Sequence, residues 1–319
     1  MTDSIRRREL LKSGLATVAG LGAASAVGLP YPTGLHAAQA DRAPMPTRRL
    51  GRTNYQVGLF SLGGQSTVEQ QGRRKDAVEI INRALDLGVN YIDTAARYGR
   101  LRDGQGPRLG ISEGHIGEVM KDRRKEVFLA SKSHDYTYDG TMKLCEQSLK
   151  RLQTDHLDLY QHHAVHTDEK LSQTQAKDGA VRAFERLHRE GVIRYKGITG
   201  HSSRVLLRAL EQYDYDCVLV TLNAANSWML EREYLGKLLS TAAEKDVGVI
   251  AMKVVARGDV LDKGLTMEEA LTYTLSFPVA TAIIGISVVK QVDHNAQIAR
   301  DFEPFNQDRI AELERRAAS

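Results

Sequence analysis

From residue 48 onward, short apolar runs alternate with stretches whose apolar residues recur every three or four positions. The short runs predict strands and the 3.6-residue periodicity predicts amphipathic helices. The predicted strands are 57–62, 91–93, 127–131, 157–162, 193–199, 217–222, 247–252 and 281–285. Among the helical stretches, 76–87 carries Ala77, Ile80, Ile81, Ala84 and Leu85 on one face, and 141–152 carries Leu144, Cys145, Leu149 and Leu152. Stretches 182–190, 203–212, 232–244, 267–275 and 289–299 read similarly, and 307–316 predicts one more surface helix. Strands alternating with helices imply a parallel sheet. Eight such units in about 250 residues predict the α/β class and a closed, single-domain (β/α)8 barrel, the TIM-barrel architecture. Residues 48–56, turning at Gly51, read as a hairpin plugging the bottom of that barrel.

The first forty residues follow a different pattern. Ser4-Ile5-Arg6-Arg7-Arg8-Glu9-Leu10-Leu11-Lys12 is basic, 14–29 is weakly apolar and rich in Gly and Ala, and Ala38-Gln39-Ala40 stands just before Asp41. This is the layout of a secretory signal. Paired arginines followed by x-Leu-Leu-Lys resemble the twin-arginine type. The expected organisation is a cleavable signal at 1–40 and a barrel at 41–319, exported folded, with the bacterial periplasm as destination. The apolar stretch is shorter than the ~20 residues a membrane span needs, so no stable insertion is expected after cleavage. Gly20-Leu21-Gly22-Ala23-Ala24-Ser25 imitates half a dinucleotide fingerprint, but it follows no strand.

Charge narrows the function classes. Lys plus Arg exceed Asp plus Glu by 44 − 40 = 4. Two of those charges lie in the first forty residues (four basic against two acidic), leaving about +2 on the barrel, which is no nucleic-acid footprint. Cys145 and Cys217 stand in no metal-ligand or CxxC spacing, so neither a disulfide scaffold nor a zinc site is expected.

Chemistry gathers where predicted strands end, the face on which such barrels carry their active sites. Asp93, Lys132 and His163 fall there, and Tyr98 lies in the loop after Asp93. Singly, each has a plainer reading: an Asp caps a turn, a Tyr packs in a loop, a Lys is solvated. Together they form a carboxylate, a phenol, an ammonium and an imidazole at one barrel mouth, a set suited to proton delivery. His162 and His163 are adjacent, so on a strand only one can face the site. His162, His163 and His166 lack a clear carboxylate partner for a metal site, and no metal is expected.

With these residues placed, the chain resembles the aldo-keto reductases over nearly all of 48–300. Leu50-Gly51-Arg52-Thr53 matches the family's opening, and Asp93-Thr94-Ala95-x-x-Tyr98-Gly99 is intact. Ser112-Glu113-x-x-Ile116-Gly117, Ser148-Leu149-Lys150-Arg151-Leu152, Asp155-x-x-Asp158-Leu159-Tyr160-x-x-His163 and Gly191-Val192-Ile193-Arg194-Tyr195-x-Gly197 follow in family order. The resemblance implies reversible hydride transfer between NADP(H) and an aldehyde or ketone. Tyr98 would be the general acid and base, Lys132 would stabilise its phenolate, Asp93 would hold Lys132, and His163, selected by the family spacing, would orient the carbonyl.

The resemblance also implies a cofactor lying extended across the barrel mouth. Ile284-Gly285-Ile286-Ser287 and Gln291 through Asn295 resemble the adenosine-phosphate segment, with Ser287 and Gln291 toward the 2′-phosphate and Asn295 toward the adenine. Gly285 ends the last strand, where a helix N-terminus favours phosphate. Met252, Lys253 and Gly258 match the strand-seven segment, Lys253 as a phosphate clamp. This chain departs from the family at the nicotinamide amide: Thr199-Gly200 replaces a Ser-Asn pair and Leu219 replaces a Gln. Thr199 is retained as a candidate, and Asn223, His201 or Ser202 are candidate substitutes. Ala164 replaces an aromatic after His163, and Tyr136 and Trp228 are candidate substrate walls, with Met229 beside them. The basic, turn-rich 100–108 lengthens the Tyr98 loop. Expected partners are a small carbonyl or sugar-like substrate and no nucleic acid. Two other readings stay open: an exported enzyme whose permanently bound NADP(H) cycles between two substrates, and a cofactor-sensing binding subunit.

Overall fold

Side-chain alternation along eight parallel strands sorts the residues of this protein into two cores. The structure, a computed structural model, describes residues 44–99 and 110–318. The expected signal at 1–40 and the basic stretch 100–108 lie outside the described residues. Two short strands, β1 (Thr47–Arg49) and β2 (Gln56–Gly58), precede the barrel strands. Those are β3 (Phe60–Ser66), β4 (Tyr91–Asp93), β5 (Phe128–Ser133), β6 (Leu157–His162), β7 (Ile193–Gly200), β8 (Cys217–Thr221), β9 (Gly248–Met252) and β10 (Thr281–Ile286). They close in the order β10-β3-β4-β5-β6-β7-β8-β9, with parallel pairing throughout.

Successive side chains on a strand point to opposite faces. Tyr91, Phe128, Ala130 and Leu159 therefore meet Leu219, Ile250 and Ile283 in a small core inside the barrel. The intervening Ile92, Leu129 and Tyr160 join a larger core between barrel and helices. β1 and β2 form the antiparallel hairpin expected at the bottom. Leu50 and Val57, both fully buried, seal the inner core from below. Gly51 makes that seal possible: its φ is +49°, and a Cβ there would lie 2.2 Å from the backbone nitrogen of Gly248.

Only the first predicted strand needs a substantial correction. The apolar run 57–62 is split: its start pairs in the hairpin, and its end opens β3, with the Leu59 N–H donating to the Pro46 carbonyl between them at 3.0 Å. Three helices, Ile111–Arg123, Asp168–Gln175 and the single turn Asp259–Asp262, were not predicted. The first buries Ser112, Glu113, His115 and Gly117 beside Ile116, Val119 and Met120, which blurs an apolar stripe. The second buries only Leu171 and Thr174 and starts at a local cap, Thr167, whose hydroxyl accepts from the Lys170 N–H at 3.3 Å. The predicted helix 232–244 begins as a 3-10 turn, Arg232–Tyr234, before Leu235–Glu244. Among the described residues, no helix is long and apolar enough to cross a membrane.

Candidate active site

The same alternation that fills the inner core with apolar residues at the bottom places polar ones at the top. Two residues beyond Tyr91 stands Asp93, two beyond Ala130 stands Lys132, and two beyond Leu159 stands Gln161. Asp93 and Lys132 are each 1% exposed and form an ion pair through Oδ2 and Nζ. The ammonium also donates to the Thr94 carbonyl at 2.8 Å and to the Tyr98 hydroxyl at 3.4 Å. Gln161 Nε2 donates to the other Asp93 oxygen at 3.1 Å. A buried charge is tolerable only when paired and hydrogen-bonded, and both conditions are met here.

Tyr98 is held by its loop. Its N–H donates to the Ala95 carbonyl at 2.9 Å, and its carbonyl accepts from the Ser112 N–H at 3.1 Å. The ring meets His163 edge-on, with centroids 5.6 Å apart, and Lys132 Nζ lies 4.8 Å from the ring centroid. Burial raises the pKa of the phenol, and Lys132 pulls it back. Burial likewise pushes the Asp93 carboxyl up, against Lys132 and Gln161. Burial acts against the Lys132 ammonium, but Asp93 and Tyr98 outweigh it, and the pKa is raised. Burial, aided by the Lys132 charge, holds His163 well below its ordinary value, so its imidazole is neutral at pH 7.

His162 takes the opposite face. It is fully buried and stacks on Phe184 of the helix Ala180–Arg189, with ring centroids 3.9 Å apart. Neither of its ring nitrogens has a partner.

A cavity of ≈ 510 Å³ opens beside Tyr98 and Asp93 and runs toward the helix Val289–Arg300. That volume suits a small molecule or cofactor. Met252, Lys253, Gly258, Gly285, Ser287, Gln291 and Asn295 all line it. Burial, with repulsion from Arg257 and Lys132, lowers Lys253 to about 8. Lys253 Nζ donates to Gln65 Oε1 at 3.3 Å. The Gln291 side-chain oxygen accepts from the Ser287 N–H at 2.8 Å and so occupies the helix N-terminus itself. The hydroxyls of Ser66 and Ser287 lie 2.8 Å apart.

Thr199 and Asn223 are not on this wall. Thr199 is buried and its hydroxyl turns to Met252 Sδ at 3.9 Å. Asn223 is fully buried, donating to the Ser227 carbonyl at 2.9 Å and accepting from the Ser227 N–H at 3.1 Å. Of the other substitutes, Ser202 caps the helix Ser203–Gln212 and bonds Glu231, and His201 Nδ1 lies 2.7 Å from Thr221 Oγ1. Tyr136 and Trp228 flank the mouth rather than the cavity. The Tyr136 hydroxyl donates to the His163 carbonyl at 2.9 Å. The Trp228 ring, 46% exposed, lies 6.0 Å from His201 and under the Lys253 and Arg257 cations at 5.6 and 4.9 Å.

The sequence reading missed Gln161, Gln65, Ser66 and Arg257. Gln161 was within reach, because two residues before His163 on a strand means the same face. Gln65 and Ser66 lie at the end of β3, where the register with β10 shifts, and Arg257 lies in the short turn Ala256–Gly258, so no regular alternation signals their direction.

With this geometry in hand, known proteins give a consistent comparison. The sequence profile of the aldo/keto reductase family matches residues 56–270. The uncharacterized oxidoreductase YqkF of Bacillus subtilis (strain 168) is 26% identical, over 80% of this chain and 91% of that protein. L-galactose dehydrogenase of Arabidopsis thaliana is 25% identical, over 84% of this chain and 92% of that protein. The holo form of an aldo-keto reductase from Bacillus halodurans superposes with a TM-score of 0.69 at 26% identity, covering 86% of this chain and 97% of that one.

Proposed function

This chain belongs to the aldo/keto reductase family, and from that premise we propose that it reversibly transfers a hydride between NADPH and a small aldehyde or ketone. The observation that carries the reading is the run of contacts Asp93–Lys132–Tyr98 beside the cavity. One relative is an L-galactose dehydrogenase, which supports a sugar-like carbonyl or its alcohol as substrate.

The cavity suits such a cofactor. Gly63, Gly64 and Gly285 line its wall, Lys253 and Arg257 bring cations, and Ser287 brings a hydroxyl at a helix N-terminus. Lys253 and Arg257 would hold the phosphates, Ser287 and Gln291 the adenosine end, with Asn295 behind them. Bound there, the cofactor supplies the hydride. The chain supplies the proton. In reduction the Tyr98 O–H donates to the carbonyl oxygen, and in oxidation the phenolate takes the proton back. Lys132, 3.4 Å from that oxygen, stabilises the phenolate. Asp93 and Gln161 fix Lys132, so no reorganisation is needed when charge develops. His163, neutral by burial, donates a ring N–H to the carbonyl without adding a competing cation.

The test is nicotinamide absorbance against time with NADPH and a panel of aldehydes, ketones and sugars. Tyr98→Phe is expected to abolish carbonyl reduction while NADPH still binds. Undiminished turnover in that variant would remove Tyr98 from its role.

A further inference from the structure

On the side of Tyr98 away from the cofactor cavity, the barrel mouth is positively charged. Arg97 directly precedes Tyr98, is exposed, and makes no hydrogen bond or ion pair with any described residue. Burial is the main influence on the titration of His134, Tyr136 and His163, and the Arg97 charge adds a downward pull on all three. The guanidinium is therefore within electrostatic reach of all three, on a residue whose backbone adjoins Tyr98. A second cation follows: Lys170 Nζ lies 5.8 Å from the Tyr136 ring centroid and donates to the Ala164 carbonyl at 3.4 Å.

Among the described residues, the neighbouring carboxylates Asp135 and Asp168 are bonded elsewhere and neither pairs with Arg97 or Lys170. Asp135 accepts from the Thr137 N–H and hydroxyl at 2.9 and 2.7 Å. Asp168 pairs with Arg204 and Arg208 at 3.0 and 2.6 Å. The Nδ1 atoms of His134, His163 and His166 are shielded from solvent and have no partner. A guanidinium with no partner among the described residues is a fork for a carboxylate or phosphate. Here it stands one residue from the phenol that would protonate a carbonyl.

Resting on the reductase reading above, we propose that the substrate carries an anionic group, a carboxylate in the first instance, which Arg97 binds while its carbonyl meets Tyr98 and His163. Arg97 is then a specificity-determining residue. It selects among carbonyl compounds by charge and takes no part in the proton transfer. Lys170 adds a longer-range attraction that salt weakens.

The test uses the full chain with saturating NADPH and matched substrates. 4-Carboxybenzaldehyde is compared with its methyl ester, and glyceraldehyde 3-phosphate with glyceraldehyde. The acid is expected to exceed the ester in kcat/KM by about tenfold or more, a charge-assisted hydrogen bond's worth of discrimination. Arg97→Met should lower that acid-to-ester ratio about tenfold through the KM of the acid, and Arg97→Lys should restore part of it. A larger effect on the phosphate pair would name phosphate as the group bound. Ratios near one for both pairs, or ratios that Arg97→Met leaves unchanged, overturn the proposal. Calorimetric titration with 4-carboxybenzaldehyde separates the two readings. Binding that depends on Arg97 without turnover supports the anion site and removes the reductase. Turnover of neutral aldehydes without acid binding does the reverse.

Discussion

Replacing Lys132 by Met tests the energetic logic of the buried site, because one change removes both the partner of Asp93 and the cation facing Tyr98. The Asp93 carboxylate is 1% exposed and would keep only Gln161. Removing one member of a buried pair typically costs about 3–5 kcal/mol, and the same range is expected here. The sign of the pH dependence follows from burial. Without Lys132 the folded-state pKa of Asp93 rises further above its unfolded value of ~3.9. A raised carboxyl pKa gives stability that is present at low pH and is lost as pH climbs through the folded pKa. The deficit of Lys132→Met relative to the parent should therefore grow as pH rises from about 4 toward 7. For catalysis, a cation 3.4 Å from the phenol oxygen is worth roughly 5 kcal/mol to a phenolate at an effective dielectric of ~20. The nearby Asp93 charge opposes this and leaves roughly 2–3 kcal/mol, or about a hundredfold in kcat. Urea unfolding at several pH values reads the first quantity, and steady-state carbonyl reduction reads the second. Adding Asp93→Asn should restore much of the stability and none of the rate. A single variant as stable as the parent at pH 7, or a double variant no better than the single, would refute this reasoning.

Two further predictions concern the scaffold. Burial lowers His162 to about 3, against ~6.5 unfolded, so the unfolded chain binds more protons between those values. Its contribution is complete above about 6.5 and is lost as pH falls, at up to roughly 1.4 kcal/mol per pH unit. His162→Leu should change stability little at pH 7, since two partnerless ring nitrogens disappear, and should flatten the decline toward pH 5 in urea titrations; parallel declines would sink the assignment. On the helix Ile111–Arg123, a Cβ at Gly117 would sit 2.0 Å from the Arg151 carbonyl oxygen, whereas one at Gly114 meets nothing within 4 Å. Gly117→Ala should destabilise by about 2 kcal/mol or more through overpacking. Gly114→Ala should stabilise by about 0.5–1 kcal/mol, and equal thermal midpoints for the two variants would contradict the packing shown.

How much of this was legible beforehand depended on whether the information was periodic. The strands and most helices follow from two spacings, and Asp93 and Lys132 follow from strand ends in a closed barrel. The split of 57–62 was not legible, because a continuous apolar run does not say where the chain changes sheets. The helix Ile111–Arg123 was hidden because Glu113 and Ser112 are buried for their bonds to Arg151, Ser131 and Thr94 rather than for hydrophobicity. Ser66, with φ +65° and ψ −127°, occupies a backbone region that no local pattern announces. At Asn223 the residue type suggested a free amide, while the fold turns that amide inward on Ser227.

The cavity also lies across the seam where the barrel closes. β3 and β10 come from opposite ends of the described chain, and their pairing is reinforced by Ser61 with Thr281, Ser66 with Ser287, and the Thr67 hydroxyl donating to the Ser287 carbonyl. Contacts so distant in sequence form against a large loop-closure entropy and tend to slow folding. Both flanks of the seam, 63–66 and 283–287, wall the cavity. A ligand held there is therefore a clasp between the two ends of the barrel. It has nothing to grip until the ring is shut, and once bound it opposes reopening by an amount that rises with the logarithm of its concentration above Kd.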